Sequence, residues 1–146
     1  VPPPRPPPPR RMPRPARTLV IDDEGLVVET LAGLLQQAGH SVETALTGSA
    51  GIERYRQRRF DCVVTDLLMP GLNGLTVGRA IKDQDPGAYV VLLTAQAEQL
   101  DAKQTEAAGV DRVVTKPVGR EQLLSIFESE ERMVHEPVME TSCPRL

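Results

Sequence analysis

Four short stretches carry residue types that can do chemistry together. The acid pair Asp22-Asp23 follows the apolar run Leu19-Val20-Ile21. A single acid, Asp66, closes the run Cys62-Val63-Val64-Thr65. Thr94 closes Val90-Val91-Leu92-Leu93, and Lys116-Pro117 follows Val113-Val114-Thr115. Three carboxylates gathered at one place repel each other, and one lysine cannot neutralise them all. Such a cluster either binds a cation or holds a proton. Oxygen donors without His or Cys select a hard ion. Mg²⁺ suits two carboxylates, one main-chain carbonyl and several waters. With a cation in place, one carboxylate can attack an incoming phosphoryl group. The Thr94 hydroxyl can donate a hydrogen bond to a phosphoryl oxygen, and Lys116 can pair with another.

Each stretch taken alone has a plainer meaning. An acid at a strand end is usually a turn or cap residue. Asp22-Asp23-Glu24 could simply cap the helix that follows. Lys116 or Thr94 alone carries little information. The joint occurrence of all four at strand ends is what outweighs these readings.

Strand ends come together only if the elements between them are helices. The pattern alternates accordingly. Strands are expected at 18–22, 41–45, 61–65, 88–93 and 111–115. Helices are expected at 25–38, 49–58, 73–83, 97–108 and 119–128. Val27, Leu31, Leu34, Leu35 and Ala38 form the apolar face of the first helix, and Gly39 suits its stop. The fourth helix reads as short, polar and weakly amphipathic. The last should bury Leu123, Leu124 and Phe127.

Alternation of this kind predicts an α/β fold with a parallel sheet covered on both faces. The flavodoxin-like (βα)5 arrangement has strand order 2-1-3-4-5 and carries ligands at the C-terminal edge of its strands. In that order Asp66 lies between Asp22-Asp23 and Thr94. Lys116 starts about 10 Å from Asp66, two strand spacings away. Side chains of this length can close most of such a gap.

Composition sets the frame. The chain has 146 residues, enough for one domain with a real core. Residues 1–17 hold nine prolines and five arginines with no acid, and read as a stiff, solvated linker. The remaining residues carry 12 basic and 20 acidic side chains. That balance, with no Trp, argues against direct nucleic-acid binding. No apolar run reaches the length of a membrane helix, and no signal peptide is apparent. Cys62 and Cys143 stand alone, without C-x-x-C spacing or a His cluster, which argues against structural zinc. Cys62 in an apolar strand reads as a buried thiol, and the setting as reducing and cytoplasmic. Residues 129–146 are polar and read as a flexible tail.

Leu19-Val20-Ile21-Asp22-Asp23-Glu24, the stretch Asp66-Leu67-Leu68-Met69-Pro70-Gly71-Leu72-Asn73-Gly74, Thr94-Ala95 and Lys116-Pro117 together resemble the receiver domains of two-component response regulators. The resemblance covers about residues 18–128. It implies that Asp66 is the phosphoacceptor in a Mg²⁺-dependent reaction. It implies that Asp23, Asp66 and the carbonyl of Leu68 bind Mg²⁺ directly, and that Asp22 acts mainly through a metal-bound water. Thr94 and Lys116 would contact the phosphoryl group, and Lys116-Pro117 would be cis. The implied partner is a histidine kinase or a histidine phosphotransfer protein, and weak homodimerisation is compatible with it. One departure stands out: the family often has Tyr or Phe three residues before the lysine, and here that residue is Val113. Phosphorylation is not put in doubt, but the usual switch around the fourth helix and fifth strand is.

The parent protein expected from the linker and the acidic tail is a hybrid histidine kinase with this receiver at its C-terminus. A stand-alone regulator without an output domain is the alternative. A phosphatase using Asp66 is a weaker one, because a second acid two residues on would be needed and Leu68 stands there. A nucleotide-binding fold would need a Gly-rich phosphate loop after the first strand, where acids stand instead. A pure interaction module would have no use for the full acid, hydroxyl and lysine set.

Overall fold

The structure is a computed structural model, and it describes residues 15–127. The expectations for most of the linker, for the acidic tail and for Cys143 lie outside the described residues.

Five strands form one parallel sheet: β1 (Arg17–Ile21), β2 (Ser41–Ala45), β3 (Cys62–Asp66), β4 (Tyr89–Thr94) and β5 (Arg112–Thr115). Their order is β2-β1-β3-β4-β5, the flavodoxin-like order expected. The intervening helices are α1 (Gly25–Gln37), α2 (Gly48–Gln57), α3 (Gly74–Gln84) and α4 (Ala102–Ala107). A fifth helix, α5, occupies residues 120–127 at the end of the described chain. β3 lies at the centre and all five of its residues are buried. Buried on both faces, it reads as an unbroken apolar run rather than an alternating one.

Two cores follow from the two faces. Leu31 and Leu35 of α1 pack with Leu123, Ile126 and Phe127 of α5 over Val20, Val64 and Leu93. Tyr55 of α2 packs with Val77 and Ile81 of α3 over Leu19, Ile21 and Val63. Alternate strand residues serve opposite cores, as the two-residue period of a strand requires.

Several boundaries differ from the sequence reading. β1 begins at Arg17, and Ala16 before it is fully buried. Ser41 N–H donates to Ala16 O at 3.1 Å, and Ala16 N–H donates to His40 Nδ1 at 3.0 Å. These long-range bonds draw the strand one residue earlier, and no local pattern encodes them. α1 buries Val28, Leu31, Ala32 and Leu35, while Ala38 is exposed at its C-cap. The single fourth helix expected at 97–108 is a 3-10 turn at Ala97–Gln99 followed by α4. Asp101 restarts the helix by accepting a hydrogen bond from Lys103 N–H at 2.9 Å. Neither piece has a buried residue, so no apolar face forces them into one continuous helix.

Candidate functional site

β1 and β3 lie side by side in register, Ile21 opposite Thr65. The residues that follow, Asp22 and Asp66, therefore meet at the same edge. β4 places Leu93 opposite Asp66, so Thr94 arises one residue further out. β5 places Thr115 opposite Thr94, and Lys116 N–H then donates to Thr94 O at 2.8 Å. This bond carries the pairing one step past the strand and aims the lysine back across the edge. The Lys116–Pro117 peptide is cis, as the resemblance implied.

The side chains close the remaining gap. Lys116 Nζ is 3.0 Å from Asp66 Oδ1 and 3.4 Å from Asp22 Oδ2. Asp22 is fully buried, Asp66 nearly so, and Asp23 is exposed. One carboxylate oxygen from each of Asp22, Asp23 and Asp66 lies within 4.8 Å of the others. The second Asp22 oxygen accepts from Glu24 N–H at 3.0 Å. Asp22 is thus held by the backbone and the lysine, whereas Asp23 faces solvent. A set of three carboxylates with one ammonium keeps a net negative charge, and oxygen donors alone suit a hard divalent cation. The donor chemistry therefore fits Mg²⁺.

Burial pushes the Asp66 carboxyl above its ordinary value. The hydrogen bond and charge of Lys116 oppose that rise, while the charge of Asp22 adds to it. Burial alone would lower Lys116, but its hydrogen bond to Asp66 and the charges of Asp22 and Asp66 outweigh burial and raise it. The lysine is a fixed cation here and not a base.

The loop after β3 shapes the pocket. Gly71 has φ +81°, a left-handed conformation that disfavours side chains. Gly74 opens α3, and a Cβ there would sit 2.4 Å from Asp66 O. Only glycine lets α3 start this close to the acceptor strand. Its N–H donates to Leu67 O at 2.8 Å, and Asn73 caps the helix by accepting from Thr76 N–H at 3.0 Å. Leu68 extends its side chain into solvent from the same loop. Thr94 is buried, and its hydroxyl accepts from Gln96 N–H at 3.1 Å.

Asp22, Asp23, Asp66, Thr94 and Lys116 thus stand at one edge, with Lys116 in contact with both Asp22 and Asp66. Gly74 was missed by sequence reasoning as a site residue, although its place eight residues after Asp66 and beside a helix cap was a usable signal. Missed too was a cleft of about 480 Å³ beside Lys116, walled by Leu26, Val27, Leu31, Pro117 and Val118.

The family model described as "Response regulator receiver domain" matches residues 18–128. The chain belongs to this family. It is 35% identical over 116 residues to Protein PilH of Pseudomonas aeruginosa, covering 78% of this chain and 96% of PilH. It is 36% identical over 111 residues to the probable transcriptional regulatory protein TcrX of Mycobacterium tuberculosis, covering 76% of this chain and 47% of TcrX. The chain thus spans about half of TcrX but nearly all of PilH. Among solved structures, the response regulator TrrA of Thermotoga maritima in complex with Mg²⁺ and beryllofluoride matches with TM-score 0.72 at 29% identity. That match covers 78% of this chain and 97% of TrrA. Chemotaxis protein CheY4 of Vibrio cholerae matches with TM-score 0.72 at 26% identity, over 78% of this chain and 97% of CheY4. The receiver domain is therefore one of two-component signalling. No helix among the described residues is long and apolar enough to cross a membrane.

Proposed function

We propose that Asp66 accepts a phosphoryl group from the phosphohistidine of a histidine kinase or histidine phosphotransfer protein. The observation that carries this is the contact of Lys116 with both Asp66 and Asp22 beside a third carboxylate. In the reaction an Asp66 oxygen attacks phosphorus and the P–N bond breaks. The electron pair returns to the imidazole, and the carboxylate becomes an acyl phosphate. Asp23, Asp66 and the Leu68 carbonyl would hold Mg²⁺, with Asp22 acting through a bound water. When bound, Mg²⁺ supplies positive charge against the phosphoryl oxygens.

The chain's own groups do the rest. Asp22 keeps Lys116 at the edge of the pocket and is itself fixed by Glu24 N–H. Lys116 neutralises one phosphoryl oxygen once Asp66 is phosphorylated, because the Asp66 carboxylate charge is then lost. Thr94 can turn its hydroxyl from Gln96 toward a second oxygen. The same module would serve as the C-terminal receiver of a hybrid histidine kinase or as a stand-alone regulator of the length of PilH.

The test is incubation with phosphoramidate and Mg²⁺, followed by mass measurement and hydroxylamine treatment. The parent should gain one hydroxylamine-labile phosphoryl group and Asp66→Asn none. A variant that gains the label as fast as the parent refutes the assignment.

A further inference from the structure

The loop after Asp66 leaves the sheet at Leu67, whose N–H donates to Leu93 O at 2.9 Å. Gly74 N–H, donating to Leu67 O at 2.8 Å, draws the far end of the loop back to its start. Between these points apolar side chains seat the loop. Met69 is buried, and Leu72 packs against the core beneath α2 and α3. Leu68 stands between Leu67 and Met69, so the place of its carbonyl follows from how these anchors sit.

α2 builds the seat of Leu72. Gly48 is the first residue of α2 and is buried. A Cβ on Gly48 would lie 2.7 Å from Val77 Cγ2, 3.0 Å from Leu72 Cβ and 3.1 Å from Leu72 O. Carbon atoms in contact prefer about 3.5–4.0 Å, so the loop and α3 close on Gly48 up to its bare Cα. Val77 is fully buried and β-branched, so it cannot turn aside cheaply. The start of α2 is itself fixed. Ala45 O accepts from Asp22 N–H at 3.2 Å, which ties the end of β2 to the acid pair. Thr47 then caps α2 by accepting from Ala50 N–H at 3.0 Å. The register of β1 against β3 ends with Ile21 opposite Thr65, short of Leu68. The approach of Leu72 to Gly48 spans that gap, from the acid pair through the β2–α2 turn to the acceptor loop.

Resting on the assignment of the Leu68 carbonyl to the cation, we infer that Gly48 is a positioning residue for the metal site. Its missing side chain lets Leu72 seat on α2, and that seat fixes where Leu68 stands relative to Asp22-Asp23. A methyl group at position 48 must displace Val77, Leu72 or both by a few tenths of an ångström. Mg²⁺ demands near-octahedral ligands at about 2.0–2.1 Å, whereas Ca²⁺ accepts about 2.3–2.6 Å in flexible arrangements. A displaced loop therefore weakens Mg²⁺ more than Ca²⁺. Loss of general stability would not tell the two ions apart.

The test titrates Mg²⁺ and Ca²⁺ separately into metal-free protein and reads amide NMR shifts. Gly48→Ala should raise the Mg²⁺ Kd about tenfold, the scale of losing an outer support of a metal site. The Ca²⁺ Kd should rise much less. Gly48→Ala combined with Val77→Ala removes Val77 Cγ2 and leaves the close approach to Leu72. That variant should melt higher than Gly48→Ala while its Mg²⁺ Kd stays raised, and it serves the titration if Gly48→Ala alone does not fold. Tyr55→Phe, near the other end of α2, should keep both Kd values at those of the parent. Parent Mg²⁺ affinity in Gly48→Ala overturns the inference, as do equal losses for the two ions. Recovery of Mg²⁺ affinity in the combined variant also overturns it, because Val77 and not Leu72 then carries the effect. A selective Mg²⁺ loss in Tyr55→Phe overturns it too, because any loosening of α2 would then suffice. A parent chain that binds no Mg²⁺ fails the cation reading first, and this inference with it.

Discussion

Asp66 and Lys116 set each other's charge. Burial raises the Asp66 carboxyl above 3.8, and Lys116 restrains the rise. In the metal-free protein, the Asp66 carboxyl should therefore take up its proton above the range of an exposed aspartate in an NMR titration. Lys116→Ala removes both restraining contributions, so that titration should move to higher pH. An unmoved titration would show that the contact at 3.0 Å has no electrostatic consequence. The stability effect has the opposite sense to that of an ordinary salt-bridged carboxylate. A folded-state value above the unfolded one makes the Asp66 contribution grow as pH falls through the raised value. Lys116, also raised, contributes fully below 10.5 and loses its contribution as pH climbs through its folded value. At the same scale, Asp22 and Asp23 should separate. Asp23→Ala should abolish Mg²⁺ binding if Asp23 is a direct ligand, the role proposed for it above. Asp22→Asn should only weaken it, because a carboxamide oxygen can still accept from Glu24 N–H. Equal losses in a Mg²⁺ titration would reject that division of labour. The types and strand-end positions of these residues were legible in the chain. The double contact of Lys116 was not, because it depends on how far β5 pairs beyond its last strand residue.

The elements differ in what holds them. α3 starts against the acceptor strand, where a Cβ on Gly74 would also lie 2.6 Å from Leu92 Cδ1. Gly74→Ala should cost about 1–3 kcal/mol, as overpacking does. It should also slow labelling of Asp66, since the first turn of α3 must retreat from Asp66 O. A thermal melt and a labelling time course would check both, and an unchanged melt would contradict the close approach. α4 is the opposite case, with six residues and none buried. Its amides should exchange faster than those of α1 or α5. Val113 replaces the aromatic side chain that would move between exposed and buried states beside it, so beryllofluoride with Mg²⁺ should change exchange in 97–115 only slightly. Large new protection there would show that the switch works without a ring. The alternation of strands and helices was readable because each apolar run is short and ends in a turn signal. The break before Asp101 was not, because a polar, weakly amphipathic stretch carries no period to interrupt. A different limit hid Gly48: a glycine letter does not say which neighbour excludes its side chain.

At the scale of the whole molecule the two edges of the sheet do different work. The C-terminal edge gathers repelling carboxylates and an open cleft. The N-terminal edge is fastened. Tyr55 OH donates to Asp85 Oδ2 at 2.5 Å and lies 3.1 Å from Phe60 O. Asp85 Oδ1 accepts from Gly87 N–H at 3.2 Å. Arg17 packs its guanidinium over Phe60, and His40 stacks on Phe127 with ring centres 4.2 Å apart. These contacts tie α2 to the end of α3 and the α1–β2 loop to α5, at the end of the sheet opposite Asp66. Apart from the local Asp85–Gly87 and Tyr55–Phe60 bonds, these contacts were not visible in the sequence, because they join residues whose separation only the fold removes. If the fastened edge and the reactive edge act independently, the two should be separable by mutation. Tyr55→Phe keeps the ring in the core but strips a hydrogen bond from a carboxylate that is 6% exposed. Leaving such a group without that partner costs about 1–3 kcal/mol. The denaturation midpoint in urea should therefore fall with an unchanged slope. Labelling of Asp66 by phosphoramidate should stay at the parent rate under conditions where the variant is folded. A variant of parent stability would show that the Tyr55–Asp85 bond is dispensable. A folded variant with slow labelling would show instead that the two edges are mechanically coupled through the sheet.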